Sequence, residues 1–363
     1  FYGAIPVFAD VEKDYFCLDP KSVEERISKK TKAIIAVDIF GQPYDADKIN
    51  KIAKKHGLIV IEDCAQAPGA KYGGKFAGTL GDIGVYSLNY HKHIHTGEGG
   101  VMVTNDDVLA ERARLIRNHA ESVVGPKGEK NLVNMLGSNY RMTELAAAIG
   151  RAQLKKLKGL VDKRVTNVNY INKNLSDIDG LVSAPVRRGA THSYYLHSFL
   201  FDEKKAGVSR EKFVNTLKAE LPIVELRETE GVKVGGGYTK LIYLLPLFQK
   251  KIAFGGSGFP FVPPYFRKEI SYKKGICPVA EELHEKSLIT HEYMRPPASK
   301  KDLDDFIRAV KKVYEKRHEI QNPSQNLSQS KARSNSRKKG RRRGRCTEVL
   351  RLRMSHFLPK SAR

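Results

Sequence analysis

The sequence predicts an α/β fold in its first half and an α+β domain in its second half. Short apolar runs alternate with segments that repeat apolar residues at helical spacing, as in Ala33–Asp38, Ala46–Lys55 and Leu58–Ile61. Strand, helix and strand in this order indicate a βαβ unit in a mainly parallel sheet that is covered on both faces. The second half mixes strand and helix patterns without this regular alternation.

The remaining elements of the first half continue the alternation. Gly84–Leu88 and Val101–Thr104 are predicted strands, separated by a polar, glycine-rich loop, and Asp107–Arg117 is a predicted helix. Gly57 is the predicted end of the helix Ala46–Lys55. A long helix is expected over Thr143–Leu175, with its first residue as N-cap, and it links the two halves.

The second half contains fewer recognisable elements. His192–Phe201 is an aromatic-rich predicted strand, and Arg210–Ala219 and Lys300–Glu319 are predicted amphipathic helices. Gly231–Pro264 is rich in Gly, Pro and aromatic residues, which is typical of a long ordered loop. After about Asn322, the polar and basic composition predicts disorder.

Composition excludes several classes of protein. The chain has 363 residues, 40% hydrophobic and 29% charged, which is ordinary for a globular protein. No apolar run approaches the roughly 20 residues of a membrane-spanning helix, and the N-terminus does not resemble a secretory signal. The four cysteines are far apart, so we expect a reducing cytoplasm rather than a disulfide framework. The chain begins at Phe1 rather than Met, so we expect it to be processed, cut or incompletely read.

The formal net charge of +24 is concentrated at one end. About half of it comes from residues 322–363, where seven of the ten residues of Ser336–Arg345 are basic. Such a run could bind nucleic acid or direct nuclear import. It has no interleaved aromatic residues, so a solvated tail or non-native sequence is favoured, and nucleic acid is not expected as a partner.

Polar side chains cluster where two predicted strands end. Asp63 ends one strand, and Gln66 follows it; Ser87 ends another, and Lys92 follows it. Ligands of open α/β sheets bind at the carboxyl ends of strands. A carboxylate can hold a proton on a ring nitrogen, a hydroxyl can bind a phosphate, and a lysine can form an imine. These are the groups that a pyridine-ring cofactor needs, although spacing alone does not identify the cofactor.

Three alternating histidines flank the lysine. His91, His93 and His95 would share one face if they lay on a strand, and they could then bind zinc. The favoured alternative is that they lie in a loop and form hydrogen bonds or contact a substrate, because no carboxylate or thiol completes a convincing ligand set. No metal site is therefore expected.

Several motifs in fixed order resemble the DegT/DnrJ/EryC1/StrS aminotransferases. They are Ile61–Ala67, Gly81–Ser87, Lys92 with Gly97–Gly100, Val103–Asp106, Asn139–Leu145 with Ala147–Gly150, and Cys277–Glu281. The resemblance covers about Phe1 to Glu315. It implies a fold-type-I enzyme, dependent on pyridoxal 5'-phosphate, that transfers an amino group from L-glutamate to a nucleotide-linked keto-sugar for cell-surface polysaccharide or amino-sugar biosynthesis. It also implies a homodimer with shared active sites.

The resemblance also implies the domain organisation. Residues 1–142 would form part of the large cofactor-binding domain, residues 143–175 the linking helix, residues 176–321 the small domain, and residues 322–363 the basic tail. The phosphate-binding Ser-Gly-Thr turn and a ring-stacking aromatic residue of typical members precede the segment that matches Phe1. An N-terminally truncated member is therefore expected, and the alternative to an active enzyme is an inactive fragment or subunit partner.

The matched positions imply a role for each residue. Lys92 matches the Schiff-base lysine that also moves the proton during transfer, and Asp63 matches the partner of the pyridine nitrogen. Gln66 matches a residue beside the ring, Ser87 a phosphate ligand, and Asn139 a phosphate ligand from the neighbouring subunit. Relatives with His at the lysine position perform dehydration, so lysine favours transamination. An imine requires a neutral amine, and burial beside cations lowers a lysine pKa from about 10.4.

Overall fold

The computed structural model describes residues 2–120, 135–222, 231–252, 256–268 and 270–321. The strands in these ranges are β1 (Ala33–Val37), β2 (Ile59–Asp63), β3 (Lys71–Tyr72), β4 (Lys75–Phe76), β5 (Ile83–Ser87), β6 (Gly100–Val103), β7 (Leu181–Ser183), β8 (Ala190–Thr191), β9 (His197–Phe201), β10 (Val234–Gly236) and β11 (Leu288–His291). The α-helices are α1 (Pro20–Arg26), α2 (Ala46–His56), α3 (Asp107–Arg117), α4 (Glu144–Leu154), α5 (Leu157–Leu175), α6 (Glu203–Ala206), α7 (Arg210–Glu220), α8 (Pro246–Lys250), α9 (Pro278–Glu282), α10 (Lys300–Glu315) and α11 (Arg317–Gln321).

The first sheet has the order β1-β2-β5-β6. Strands β1, β2 and β5 are parallel, and β6 runs antiparallel to β5. Val37 pairs with Asp63, and Asp63 pairs with Val85, so the carboxyl ends of the three parallel strands lie side by side. This arrangement confirms the predicted βαβ unit and the mainly parallel sheet.

One face of this sheet is packed and the other is open. Ile34 and Val60 are buried in a core that includes Ile49 of α2. On the opposite face, Ile35 is 60% exposed and Val85 is 37% exposed. The prediction of a sheet covered on both faces is therefore wrong for the described residues. A continuous apolar run indicates a strand with both faces covered, so the exposed side chains are apolar surface that no described residue covers.

The predicted limits of α2 follow from its caps. The Asp45 side chain accepts a hydrogen bond from the backbone N–H of Lys48 at the N-terminus. Gly57 adopts the left-handed conformation (φ 64°) and ends the helix, as predicted. Lys54, Lys55 and His56 place basic side chains in the last turn, where they complement the helix dipole.

The predicted linking helix is two helices. Thr143 caps α4 through a hydrogen bond from Ala146 N–H to its hydroxyl, which confirms the predicted start. The break falls between α4 and α5, where Lys156 N–H bonds to the carbonyl of Gln153, three residues earlier, instead of continuing the four-residue ladder. The second of these helices, α5, ends at Leu175, as predicted.

The second sheet is antiparallel and carries a separate core. Its order is β10-β11-β9-β7, and it confirms the α+β character of the second half. Helices α5, α7 and α10 pack against it through Val168, Phe213 and Phe306, all fully buried. Residues up to Gln321 form one compact unit. No helix among the described residues is both long and apolar enough to cross a membrane.

Three boundaries in the second half differ from prediction. Strand β9 begins at His197, whereas the predicted strand began at His192. Tyr194 has a left-handed φ of 51°, which interrupts the extended chain before β9. The predicted loop over Gly231–Pro264 contains β10 and α8. The last predicted helix is divided at Lys316 into α10 and α11. The basic tail lies outside the described residues.

Candidate active site

Asp63 and Ser87 project from the same face of the first sheet. Asp63 is the last residue of β2 and pairs with Val85, two residues before Ser87 at the end of β5. Side chains two residues apart on a strand point to the same side, so both polar groups lie on the open face at the carboxyl edge. This position confirms that both residues end their strands. Asp63 accepts a hydrogen bond from the backbone N–H of Ala65 (3.1 Å).

The loop after β5 positions Lys92 through a series of turns. Ser87 Oγ accepts a hydrogen bond from Asn89 N–H (3.2 Å), and Asn89 Oδ1 accepts one from His91 N–H (3.0 Å). Lys92 N–H then donates to the carbonyl of Asn89 (2.9 Å). Gly99 closes the loop at a φ of 154°, where an added Cβ would lie 2.8 Å from Thr96 Oγ1. The backbone leading to Lys92 is therefore held by its own side chains.

The Lys92 amine has an environment that favours its neutral form. The side chain is partly buried, and Nζ lies 4.6 Å from the ring centroid of Tyr195. Burial lowers the pKa of Lys92, and the positive charge of Arg295 lowers it further, while the negative charge of Asp63 opposes both. The net direction is downward. A lowered pKa leaves more of the amine unprotonated and able to attack a carbonyl.

Gln66 is fixed in orientation by two hydrogen bonds. Its Oε1 accepts from the backbone N–H of Phe40 (2.7 Å), and its Nε2 donates to the hydroxyl of Tyr238 (3.0 Å). Phe40 adopts a φ of 60°, which turns its N–H towards this amide. Since Nε2 carries two hydrogens, the second N–H is available to a ligand oxygen.

Tyr195 and Arg295 belong to the same site, although the sequence pattern did not identify them. Arg295 donates from Nε (3.1 Å) and Nη2 (2.8 Å) to the carbonyl of Tyr195, and its guanidinium lies 4.7 Å from the centroid of that ring. Glu292 forms an ion pair with Arg295 Nη1 (2.6 Å). Tyr195 lies about a hundred residues after Lys92 and Arg295 about a hundred residues after Tyr195, so no local spacing signals the contact. The aromatic enrichment around Tyr195 is the one signal in the sequence.

Two buried carboxyl residues, Glu62 and Asp38, lie beside Asp63 at the end of β2. Glu62 is fully buried and accepts hydrogen bonds from Gly78 N–H (2.6 Å), Leu80 N–H (2.9 Å) and Gly81 N–H (3.2 Å). Burial, together with the charge of Glu62, raises the pKa of Asp38 well above its usual value. Asp38 also donates its backbone N–H to the carbonyl of Asp63 (3.0 Å). The polypeptide behind Asp63 is thus fixed by hydrogen bonds.

The three alternating histidines lie in the loop between β5 and β6. His93 is buried and its Nε2 forms a hydrogen bond with the carbonyl of Ser193 (2.8 Å), while His95 Nδ1 accepts from Gly97 N–H. Burial lowers the pKa of His93 well below its usual value. The zinc alternative required a strand that would align the three rings, and the loop does not provide one. Among the residues the structure describes, no group of three potential ligands could hold a metal ion.

Asn139 lies apart from these groups. It is exposed on the segment that precedes α4, and its Oδ1 accepts a hydrogen bond from Arg141 N–H (3.4 Å). Its backbone forms an isolated bridge with Asn118. The structure therefore brings Asp63, Gln66 and Lys92 into one neighbourhood, with Ser87 at the start of the lysine loop, and leaves Asn139 on the surface.

The site contains three of the groups that a pyridoxal phosphate ring would require. The carboxylate of Asp63 can accept a proton held on a ring nitrogen, the amine of Lys92 has a lowered pKa, and the second N–H of Gln66 can meet a ring oxygen. These features fit a fold-type-I aminotransferase, and solved structures of aminotransferases match this fold. The chain belongs to the DegT/DnrJ/EryC1/StrS aminotransferase family, which it matches over residues 1–252.

Individual relatives and solved structures agree with this assignment. The spore coat polysaccharide biosynthesis protein SpsC of Bacillus subtilis (strain 168) is 30% identical over 325 residues, covering 86% of this chain and 74% of SpsC. The structure of an aminotransferase from Psychrobacter cryohalolentis matches with a TM-score of 0.70 and 29% identity, covering 87% of this chain and 77% of that one. DesI, solved in the presence of its TDP-sugar product, matches with a TM-score of 0.67 and 25% identity over 90% and 72% of the two chains.

Proposed function

We propose that this protein transfers an amino group from L-glutamate to a nucleotide-linked keto-sugar, with pyridoxal 5'-phosphate as cofactor and Lys92 as the essential residue. The observation that carries the proposal is the partly buried amine of Lys92, whose pKa is lowered by burial and by Arg295 although Asp63 opposes both. Membership of an aminotransferase family supports the reaction class. The TDP-sugar product of DesI supports a nucleotide-linked acceptor, and the name of SpsC supports a role in polysaccharide biosynthesis.

Each side chain would have a separate role. Pyridoxal phosphate, when bound, supplies an aldehyde that receives the amino nitrogen and a ring that accepts electrons from the reacting carbon. Lys92 Nζ would hold the aldehyde carbon and then move the proton at the reacting carbon. The Asp63 carboxylate would hold the proton on the ring nitrogen. Gln66 would orient the ring through its second N–H, and the Ser87 hydroxyl would bind the phosphate.

We also propose a homodimer in which Asn139 completes the phosphate site of the neighbouring subunit. The residue is exposed, and the segment that carries it leads into α4, which buries none of its residues in this chain. On that helix Leu145 is 80% exposed and Leu154 is 61% exposed. Apolar side chains left uncovered on a helix are typical of a surface that another polypeptide covers.

The test is amino transfer by the purified full chain. The chain is incubated with pyridoxal phosphate, L-glutamate or L-glutamine, and a panel of nucleotide-linked keto-sugars, and the amino-sugar is detected by mass spectrometry. We expect product with the wild type and none with Lys92→Ala. Lys71→Ala is the matched control, since Lys71 lies on β3 with its amine 4.5 Å from the centroid of the Phe76 ring. Product from the Lys92→Ala variant at the wild-type rate would contradict the proposal.

A further inference from the structure

We propose that Arg295 is a positioning residue for Lys92, because it holds Tyr195 against the amine and places a fixed positive charge beside it. The proposal rests on the proposed function of Lys92 and extends it to a residue that no sequence motif indicates. The two cations share one aromatic ring. Lys92 Nζ lies 4.6 Å from the Tyr195 centroid, and the Arg295 guanidinium lies 4.7 Å from the same point.

The hydrogen bonds of Arg295 assign it to the protein rather than to a substrate. Nε and Nη2 both donate to the carbonyl of Tyr195, and Nη1 is paired with Glu292. The Arg295 side chain is only 12% exposed. A guanidinium bound at both ends in this way is rigid, so its charge stays in place while ligands enter and leave.

The position of this charge determines its effect on Lys92. Both cations lie within 4.7 Å of one centroid, so their separation is below about 10 Å, the Debye length at moderate salt, and solvent ions do not fully screen them. Arg295 and burial disfavour the protonated amine, and Asp63 at the end of β2 favours it. The other charged or titratable groups nearby are Glu292, which pairs with Arg295, and Arg164 and Tyr238, which both interact electrostatically with Arg295. Tyr195 itself and His91 and His93 of the loop complete the set. Removing the Arg295 charge should therefore raise the pKa of Lys92, because the effect of Asp63 is then less opposed.

The experiment measures the reactivity of Lys92 without cofactor or substrate. The full chain is labelled with trace isotopic acetic anhydride between pH 7 and pH 11, and each lysine is quantified by peptide mass spectrometry. In Arg295→Gln we expect the pH midpoint of Lys92 labelling to rise and its rate at pH 8 to fall roughly three- to tenfold. Lys300, whose Nζ lies 5.1 Å from the Tyr170 ring and pairs with Asp304, is the internal reference and should not change.

Arg317→Gln is the matched control variant. Arg317 also stacks on a tyrosine, at 4.0 Å from the Tyr314 ring, and donates to the carbonyl of that residue (2.8 Å), but it lies on α11. We expect it to leave Lys92 labelling unchanged. An unchanged Lys92 profile in a folded Arg295→Gln variant would overturn the proposal. Because the readout needs no amino transfer, its failure is distinguishable from a failure of the proposed function.

Discussion

Asp63 and Arg295 act on the Lys92 amine in opposite directions. The carboxylate favours the protonated form, while the guanidinium and burial favour the neutral form. The combination suits an amine that must be unprotonated to bond with an aldehyde and must later carry a proton. The pKa of Lys92 is therefore set by burial and by two charged residues that are close in space and distant in sequence.

Asp63→Asn tests the carboxylate. The variant keeps the shape of the side chain and removes its charge, so a ring nitrogen loses a charged hydrogen-bond partner worth about 1.5–3 kcal/mol. We expect kcat/KM for amino transfer to fall about 10- to 100-fold, measured with saturating cofactor. The Lys92 pKa should fall as well, since Asp63 raises it, and Lys92 should then be acetylated faster at pH 8.

Asp14→Asn is the control, because Asp14 is exposed in an early loop. It should leave both kcat/KM and Lys92 labelling unchanged. If Asp63→Asn kept full activity, or if it slowed the labelling of Lys92, the assigned role of this carboxylate would be wrong.

At the scale of elements, strands β9 and β11 carry a buried histidine pair. His197 and His291 face each other across the antiparallel ladder and are joined by a 2.7 Å hydrogen bond. Tyr293 N–H donates to His291 Nδ1, so neutral His291 donates from Nε2 to His197 Nδ1, and His197 Nε2–H then donates to Ser183 Oγ. Each neutral ring thus has one donor and one acceptor position in use.

This pair predicts an acid-sensitive core. Burial lowers the pKa of His197 to about 3, against about 6.5 in an unfolded chain. The unfolded state therefore binds more protons than the folded state between these two pH values. The contribution of neutral His197 to the free energy of unfolding is fully present above about pH 7. It is lost as pH falls towards 3, at about 1.4 kcal/mol per pH unit. In chemical denaturation from pH 7.5 to pH 5, we expect His197→Gln to show a shallower loss than the wild type.

His318→Gln is the control for that measurement, since His318 is exposed on α11. It should retain the wild-type slope. A wild-type stability that did not change between pH 7.5 and pH 5 would show that the pair is not held neutral by the fold.

The elements also show what the sequence could and could not predict. Thr143 as N-cap and Gly57 as a helix end were predicted, because caps depend on neighbouring residues. Asp63 and Ser87 at strand ends were predicted for the same reason. The contact of Arg295 with Tyr195 could not be predicted, because it joins segments from different parts of the chain. The motif around Lys92 indicated the imine chemistry of that residue but not its contacts with Tyr195 and Arg295.

At the scale of the whole molecule, the open face of the first sheet exposes apolar side chains next to the candidate site. Ile35, Ile59 and Val85 expose 60%, 40% and 37% of their surface on the side that also carries Asp63 and Ser87. Apolar surface of this extent is typical of an interface or of a site that another segment covers. The strand pattern did not reveal it, because a continuous apolar run indicates coverage of both faces but not which segment or subunit provides it.

Adjacent positions on β1 offer a matched test. Ile35→Thr keeps a β-branched side chain and removes apolar surface, so we expect weaker binding of a hydrophobic dye with little change in unfolding free energy. Ile34→Thr, at a position only 7% exposed, should leave dye binding by the native state unchanged and cost about 1–3 kcal/mol of stability. Equal destabilisation by the two variants would show that Ile35 is covered in solution.

The most direct test of the account is covalent mapping of the cofactor site. The purified full chain is loaded with pyridoxal phosphate, reduced with borohydride, digested, and analysed by peptide mass spectrometry. The account predicts a pyridoxyl label on Lys92 and its loss in Lys92→Ala. A label on another lysine, or no label on a folded chain, would contradict the assignment of Lys92 as the residue that holds the cofactor.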